Sequence, residues 1–548
     1  MTTIDKRGRG FSRRKLAFFS AVGLMVAASL GPAAAQQTGG DGRVAGGTLR
    51  VYTEGFSVDP RQSWSTAAHA LTDSLVDRNP DTLEFVPWLA ESWKVNEDAT
   101  EYTFTLREGV TFSNGDVLDS RVVKANFDGA VADLKAGGGW YIRGVFDHYV
   151  GTEIIDDRTF KVKFSVGNGP FLANVSTDQL GIIHPDDFKK TLDERKNYGI
   201  VGTGPFVIKS VTPRAALRLD RRDDYNWSSK LARHQGPASI EAVELTVVPE
   251  RGTREGALQS GEADLITVPT PEGVVQLPRL GYKVAWRQQT GLGKSLNVNF
   301  KSDKLNQLEL RQAVLKAIDR KELSDLVAGP ASRAAGSILA SSTFGYHDFS
   351  GDLLAYDPEG AKKLLDSIGW VVKESGFRER DGKRLTLNLV WDDSHTTEEF
   401  VTLLRDQFAR VGIELTLTFR KISQASADFR EGKFDFWYQN GTRADPDVLR
   451  KTYSNAGAAL DATVRYGDSA EVTGSTELEE VLQATNTVAD SPERAELVKK
   501  AQEILIKYAF RIPVEDNPQV VIATAKDLEG LRFSPLGEPV FYDIWLKR

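Results

Sequence analysis

The chain has 548 residues, 41% hydrophobic and 26% charged, which excludes a single small module, a disordered tail and a multi-span membrane protein, and asks for two to four domains. It holds no cysteine, so disulfides, thiolate metal sites, cysteine nucleophiles and lipid attachment through an N-terminal cysteine are all removed. A formal charge of -7 gives a nucleic-acid partner no global electrostatic support.

Lys6, Arg7, Arg9, Arg13, Arg14 and Lys15 precede an apolar run from Leu16 to Leu30 and then Ala33-Ala34-Ala35, the order of a secretory signal over residues 1–35. The run is about 15 residues, short of the roughly 20 that a membrane-crossing helix needs, so export is expected and stable membrane insertion is not. Ser12-Arg13-Arg14-Lys15-Leu16 resembles the twin-arginine export signal, although Leu16-Ala17 departs from the usual Phe-Leu pair. Without residues 1–35, which hold six basic residues and Asp5, 63 Lys and Arg face 75 Asp and Glu, a formal charge of -12. With no cysteine for lipidation, the expected compartment of this acidic chain is the periplasm.

Residues 36–47 are Gly- and Gln-rich and read as a flexible lead-in, with the first strand at Gly46–Tyr52. Alternation predicts a half-buried strand over Glu101–Arg107, with Tyr102, Phe104 and Leu106 on one face. Ser113-Asn114-Gly115-Asp116 is turn chemistry, and Ser120 is placed to cap a helix from Arg121 to about Leu134. Another strand is predicted at Thr159–Phe164. Strands and helices then alternate: a strand at Ser295–Phe300, a helix over Leu310–Val327, a helix capped by Asp357-Pro358 and running to Ile368, strands at Leu385–Val390 and Glu414–Phe419, and a helix over Thr396–Val411 between them. The pattern is α/β, with no repeat of fixed period and no long low-complexity linker, so two lobes sharing several crossings are expected.

Five blocks in order carry a resemblance that covers almost the whole mature chain. They are Leu89-Ala90-Glu91-Ser92-Trp93 with Tyr102 to Gly115, Gly202-Thr203-Gly204-Pro205-Phe206, Arg311-Gln312-Ala313, Ala317-Ile318-Asp319-Arg320, and Tyr356 to Ala361. Together they resemble the family 5 extracellular solute-binding proteins, the peptide, nickel and opine receptors of ABC importers. The resemblance implies a two-lobed periplasmic-binding-protein fold whose lobes close on a ligand by a hinge motion. It places lobe I at 36–290 with an extra subdomain at about 76–200, lobe II at 291–517, and a return to lobe I from 518. A monomer with an ABC permease as its partner is expected, and the permease would recognise the closed, liganded form.

In peptide-binding members of that family an acidic residue four positions before a proline pairs with the ligand's α-amine. The matching segment here runs from Trp437 to Asp447, and four before Pro446 stands Thr442, followed by Arg443. A threonine offers an ammonium no opposing charge, whereas an arginine repels it and presents a bidentate fork to a carboxylate. A small anionic or zwitterionic, carboxylate-bearing solute is therefore the leading ligand class: an opine, a metallophore–metal complex or a modified peptide. Dipeptides and oligopeptides are the alternative. Arg143 is the candidate second cation, at the place where nickel-binding relatives carry an arginine, and Trp140 and Tyr141 are a candidate aromatic wall. Tyr438 and Asn440 follow an apolar strand, so one of them is expected to face the core. Phe56 and Trp64 complete the cleft candidates. The bland readings stay open: Arg443 could pair with Asp445 or Asp447, Arg143 could form a surface ion pair, and Trp140 and Tyr141 could simply pack the subdomain.

The six histidines, His69, His148, His184, His234, His347 and His395, are dispersed with no ligand spacing, so neither a protein-coordinated metal nor any other cofactor is expected; His148 alone, near Arg143, could complete a metal carried by a chelator. No G-x-S-x-G elbow is present, and Gly291-Leu292-Gly293-Lys294-Ser295 lacks the spacing of a phosphate loop, which argues against an enzyme. A secreted hydrolase and a peptide-binding chaperone are the remaining, weaker readings.

Overall fold

The computed structural model describes residues 45–61, 67–139, 142–325, 332–454, 474–516 and 519–547. The signal-like segment lies outside them.

Two sheets organise the chain. The first has seven strands in the order Lys283–Gln288, Gln519–Thr524, Leu265–Thr267, Thr48–Thr53, Ala242–Val247, Ala216–Arg221, Phe206–Thr212. The second has five, in the order Glu414–Phe419, Thr386–Trp391, Phe436–Thr442, Gly291–Val298, Arg511–Glu515. Each sheet is the centre of a lobe with its own apolar core. The chain passes from the first sheet to the second at 289–290 and returns after Asp516, so two crossing segments connect the lobes. This is the two-lobed α/β architecture.

Lobe I carries an antiparallel four-stranded sheet in the order Ala90–Val95, Glu101–Leu106, Thr159–Phe164, Tyr149–Ile154. Its strands alternate as their residues dictate: Tyr102, Phe104 and Leu106 are buried while Glu101, Thr103 and Thr105 are half-exposed. Two local expectations shift. Asp119, not Ser120, caps the helix Ser120–Lys135, its carboxylate accepting from the Val122 N–H. The helix expected over Leu310–Val327 breaks after Ala317, because Ile318 is extended and Asp319 caps a second short helix, Arg320–Leu323.

Among the described residues no helix is long and apolar enough to cross a membrane.

Candidate functional site

In an open α/β sheet, ligands collect beyond the carboxyl ends of parallel strands, where loops diverge and backbone donors are unpaired. In lobe I, Thr48–Thr53 runs parallel to both Ala242–Val247 and Leu265–Thr267. In lobe II, Thr386–Trp391 runs parallel to both Glu414–Phe419 and Phe436–Thr442. All six carboxyl ends open onto one cleft of about 1500 Å³ between the lobes: Thr53–Gly55, Pro249, Val268–Pro269, Trp391, Phe419 and Thr442–Arg443 line it.

Alternation within Phe436–Thr442 decides which side chains reach this space. Trp437 and Gln439 line the cleft, whereas Tyr438 points the other way, is fully buried, stacks at a tilt on Phe400 and donates its hydroxyl to Glu515. Tyr438 is therefore corrected from the cleft to the core of lobe II. Asn440, Thr442 and Arg443 line the cleft. Asn440 Nδ2 lies 3.5 Å from the Thr442 hydroxyl, which itself donates to Gln289 Oε1 at 3.1 Å, and Arg443 Nη1 donates to the Thr442 carbonyl at 2.7 Å. The Arg443 N–H donates to the Thr290 carbonyl. The loop expected to read the ligand thus rests on the crossing segment.

Two other candidates are placed elsewhere. Phe56 packs against the core of lobe I, although Glu54 and Gly55 just before it line the cleft. Arg143 is half-buried and is not among the cleft-lining residues. Its turn packs on lobe II instead: a Cβ on the neighbouring Gly144 would meet Cε of Lys451, in the helix Val448–Tyr453, at 2.6 Å. Trp64, Trp140 and Tyr141 lie outside the described residues.

A neighbouring stretch of the lobe II wall is one that local sequence patterns left unmarked. Asp392, fully buried, accepts from Trp437 Nε1 at 3.1 Å and faces His395 Nδ1 at 2.8 Å, fixing the imidazole and indole at the cleft surface. Burial alone would raise the Asp392 carboxyl, but the bond and charge of His395 and the bond from Trp437 hold it below its ordinary value. Lys294 and Glu515 pair at 3.4 Å, and Arg511 is held by the carbonyls of Gln439 and Gly293 at 3.0 and 3.3 Å. The signal that could have marked this wall is the parallel βαβ order over 386–442, which sends each strand's exit loop to the same edge.

The fold also gathers side chains that spacing kept apart. His69 Nε2 lies 4.0 Å from Asp178 Oδ1 and 3.9 Å from Glu538 Oε2, all three residues buried, with Glu538 on the cleft wall. Burial pushes His69 down to about 3 and Asp178 up to about 7, since neither charge is solvated there.

Comparison with known proteins adds a frame to this geometry. The family model for bacterial extracellular solute-binding proteins, family 5 middle region, matches residues 84–459. Heme-binding protein A of Haemophilus influenzae is 25% identical over 513 residues, 88% of each chain. The dipeptide-binding protein of Escherichia coli is 23% identical over 525 residues, 92% of this chain and 93% of that one. Among solved structures, NikA from Brucella suis in complex with Fe(III)-EDTA superposes with a TM-score of 0.78 at 23% identity, covering 91% of this chain and 100% of the other.

Proposed function

Because the chain belongs to the bacterial extracellular solute-binding proteins of family 5, we propose that it is the periplasmic receptor of an ABC importer and that its cargo is a small carboxylate-bearing solute. Opines, metallophore–metal complexes and modified peptides are the members of that class. Lobe closure captures the solute, and the permease reads the closed form. A ligand drives closure only by its greater affinity for the closed state, so contacts made from both lobes at once are what do the work.

One observation carries the ligand class: Arg443 lines the cleft where the crossing segment meets lobe II, with Thr442, not an acid, beside it. A guanidinium in that place favours a carboxylate and disfavours an ammonium. Arg251 of lobe I and Arg430 of lobe II line the same cleft and add positive charge from both sides. The alternative cargo, a dipeptide or oligopeptide, is favoured by the carboxylates of Asp516 and Glu538 on the cleft surface, either of which could receive an α-amine. The protein acts in this reading as a monomeric carrier without catalytic chemistry.

Native mass spectrometry of the mature protein purified from its own periplasm tests the proposal. A single carboxylate-rich passenger, with or without a metal isotope pattern, supports it, and a ladder of peptide masses transfers the reading to the alternative. Trp391 and Trp437 line the cleft, so adding the identified passenger should change intrinsic fluorescence as the lobes close. A passenger that binds without any change in scattering-derived dimensions would overturn the closure mechanism.

A further inference from the structure

Buried polar atoms are almost always satisfied, so a buried imidazole nitrogen without a partner, set beside two buried carboxylates, marks a candidate ligand site. His69 Nε2 has no hydrogen-bond partner among the described residues, while Asp178 shares a side-chain hydrogen bond with Glu538 and no lysine or arginine there pairs with Asp178. Their donor atoms and a carboxylate oxygen of Glu538 all lie within 4.8 Å of one another. The three come from separate elements: the helix Ala68–Leu71, the 3-10 turn Asp178–Leu180, and the turn in which the Ser534 N–H donates to the Glu538 carbonyl and the Ser534 hydroxyl accepts from the Glu538 N–H. Trp88 stacks on the His69 ring with 12° between the planes, holding its orientation.

We propose that His69, Asp178 and Glu538 form a divalent transition-metal site in the wall of lobe I, open to the cleft through Glu538. One imidazole nitrogen and two carboxylates are a borderline donor set that suits Zn²⁺ or Ni²⁺ better than Ca²⁺ or Mg²⁺, which take oxygen ligands alone. Two carboxylates cancel the charge of a divalent ion, leaving a neutral buried complex. Tetrahedral bonds of about 2.0–2.2 Å put ligand atoms roughly 3.4 Å apart, so the present 3.9 and 4.0 Å separations need contraction of only about half an ångström. Glu538 lines the cleft, and water or a donor atom of the cargo would complete the coordination from that side.

The site is tested with the metals alone. Mature protein stripped on a chelating resin is titrated with ZnCl₂ and NiCl₂ against a chromophoric competitor, and retained metal is counted by mass spectrometry after desalting. One equivalent is expected in the wild type and in His347→Ala, a surface control, with at least 30-fold weaker binding in His69→Ala and Asp178→Asn. Melting curves check that each variant is folded, and Glu538→Gln replaces any that is not. An anomalous difference peak beside His69 Nε2 in zinc-soaked crystals is the direct positive. Failure of the wild type to retain either metal, or equal retention in the folded variants, overturns the proposal. Neither outcome touches the receptor reading, which stands on passenger mass and lobe closure.

Discussion

The hydroxyl of Thr442 donates to Oε1 of Gln289 across 3.1 Å, joining a cleft-lining loop of lobe II to the segment on which the chain crosses between lobes. In the proposed receptor, ligand contact at Arg443 and movement of the lobes would therefore share a few residues. A force on the Arg443 side chain is passed to the crossing segment through Thr442 and through the Arg443 N–H bonded to Thr290.

Replacing Arg443 with alanine should cost about 1.5–3 kcal/mol of binding if the guanidinium meets a carboxylate in a charge-assisted bond. Isothermal titration with the natural passenger would read this as roughly a 10- to 150-fold weaker Kd. The melting temperature of the empty protein should hardly move. Unchanged affinity would remove Arg443 from the ligand contacts.

Gly291→Ala should behave differently, because backbone and not side chain is at stake. Gly291 adopts φ 109°, and a Cβ there would fall 2.3 Å from the Gly441 carbonyl oxygen and 2.6 Å from the Arg443 nitrogen. The loop must shift to admit a methyl group, so both the melting temperature and passenger affinity should fall together. A variant that keeps wild-type stability and binding would show that the crossing tolerates displacement.

Asp445→Asn tests the buried charges behind the same loop. Arg494, fully buried, holds Asp445 through two bonds of 2.6 and 3.0 Å and also pairs with Asp490, which accepts from Arg78 of lobe I at 2.8 Å. Burial would raise the Asp445 carboxyl, yet Arg494 holds it below its ordinary value and therefore ionised. Removing that charge leaves Arg494 under-compensated, and a loss of about 3–5 kcal/mol is expected in denaturant unfolding. A loss under about 1 kcal/mol would mean Asp490 alone suffices.

A pH signature should come from Asp73. It is fully buried and accepts from Tyr225 at 3.0 Å and from Trp227 at 2.9 Å, but burial outweighs these bonds and pushes its carboxyl up to about 7. The unfolded value is about 3.9, so between the two the folded state holds the extra proton. Its contribution is thus full below about pH 4 and declines as pH rises to about 7. Melting temperature against pH should show that decline in the wild type and a flatter profile in Asp73→Asn; equal slopes would assign the effect to other groups.

Much of this molecule is written locally. Side-chain alternation at Tyr102, Phe104 and Leu106, the Asp357-Pro358 cap and the ordered family blocks specify strands, helix starts and the two-lobed α/β class, because each depends on residues within a few positions of one another. Thr442 and Arg443 were singled out through the family resemblance, by counting back from Pro446, and both line the cleft. Which neighbour of Trp437 turns inward was open at Tyr438 and Asn440, since a strand's two faces are equivalent until a core forms on one of them. Arg143 could not be placed from its own segment, because the packing of Gly144 on Lys451 joins distant parts of the chain. The gathering of His69, Asp178 and Glu538 was decided by tertiary structure alone: a helix, a 3-10 turn and a returning C-terminal turn meet only after the second crossing has brought the chain back to lobe I. No spacing rule can anticipate a cluster whose members are brought together by sheet topology.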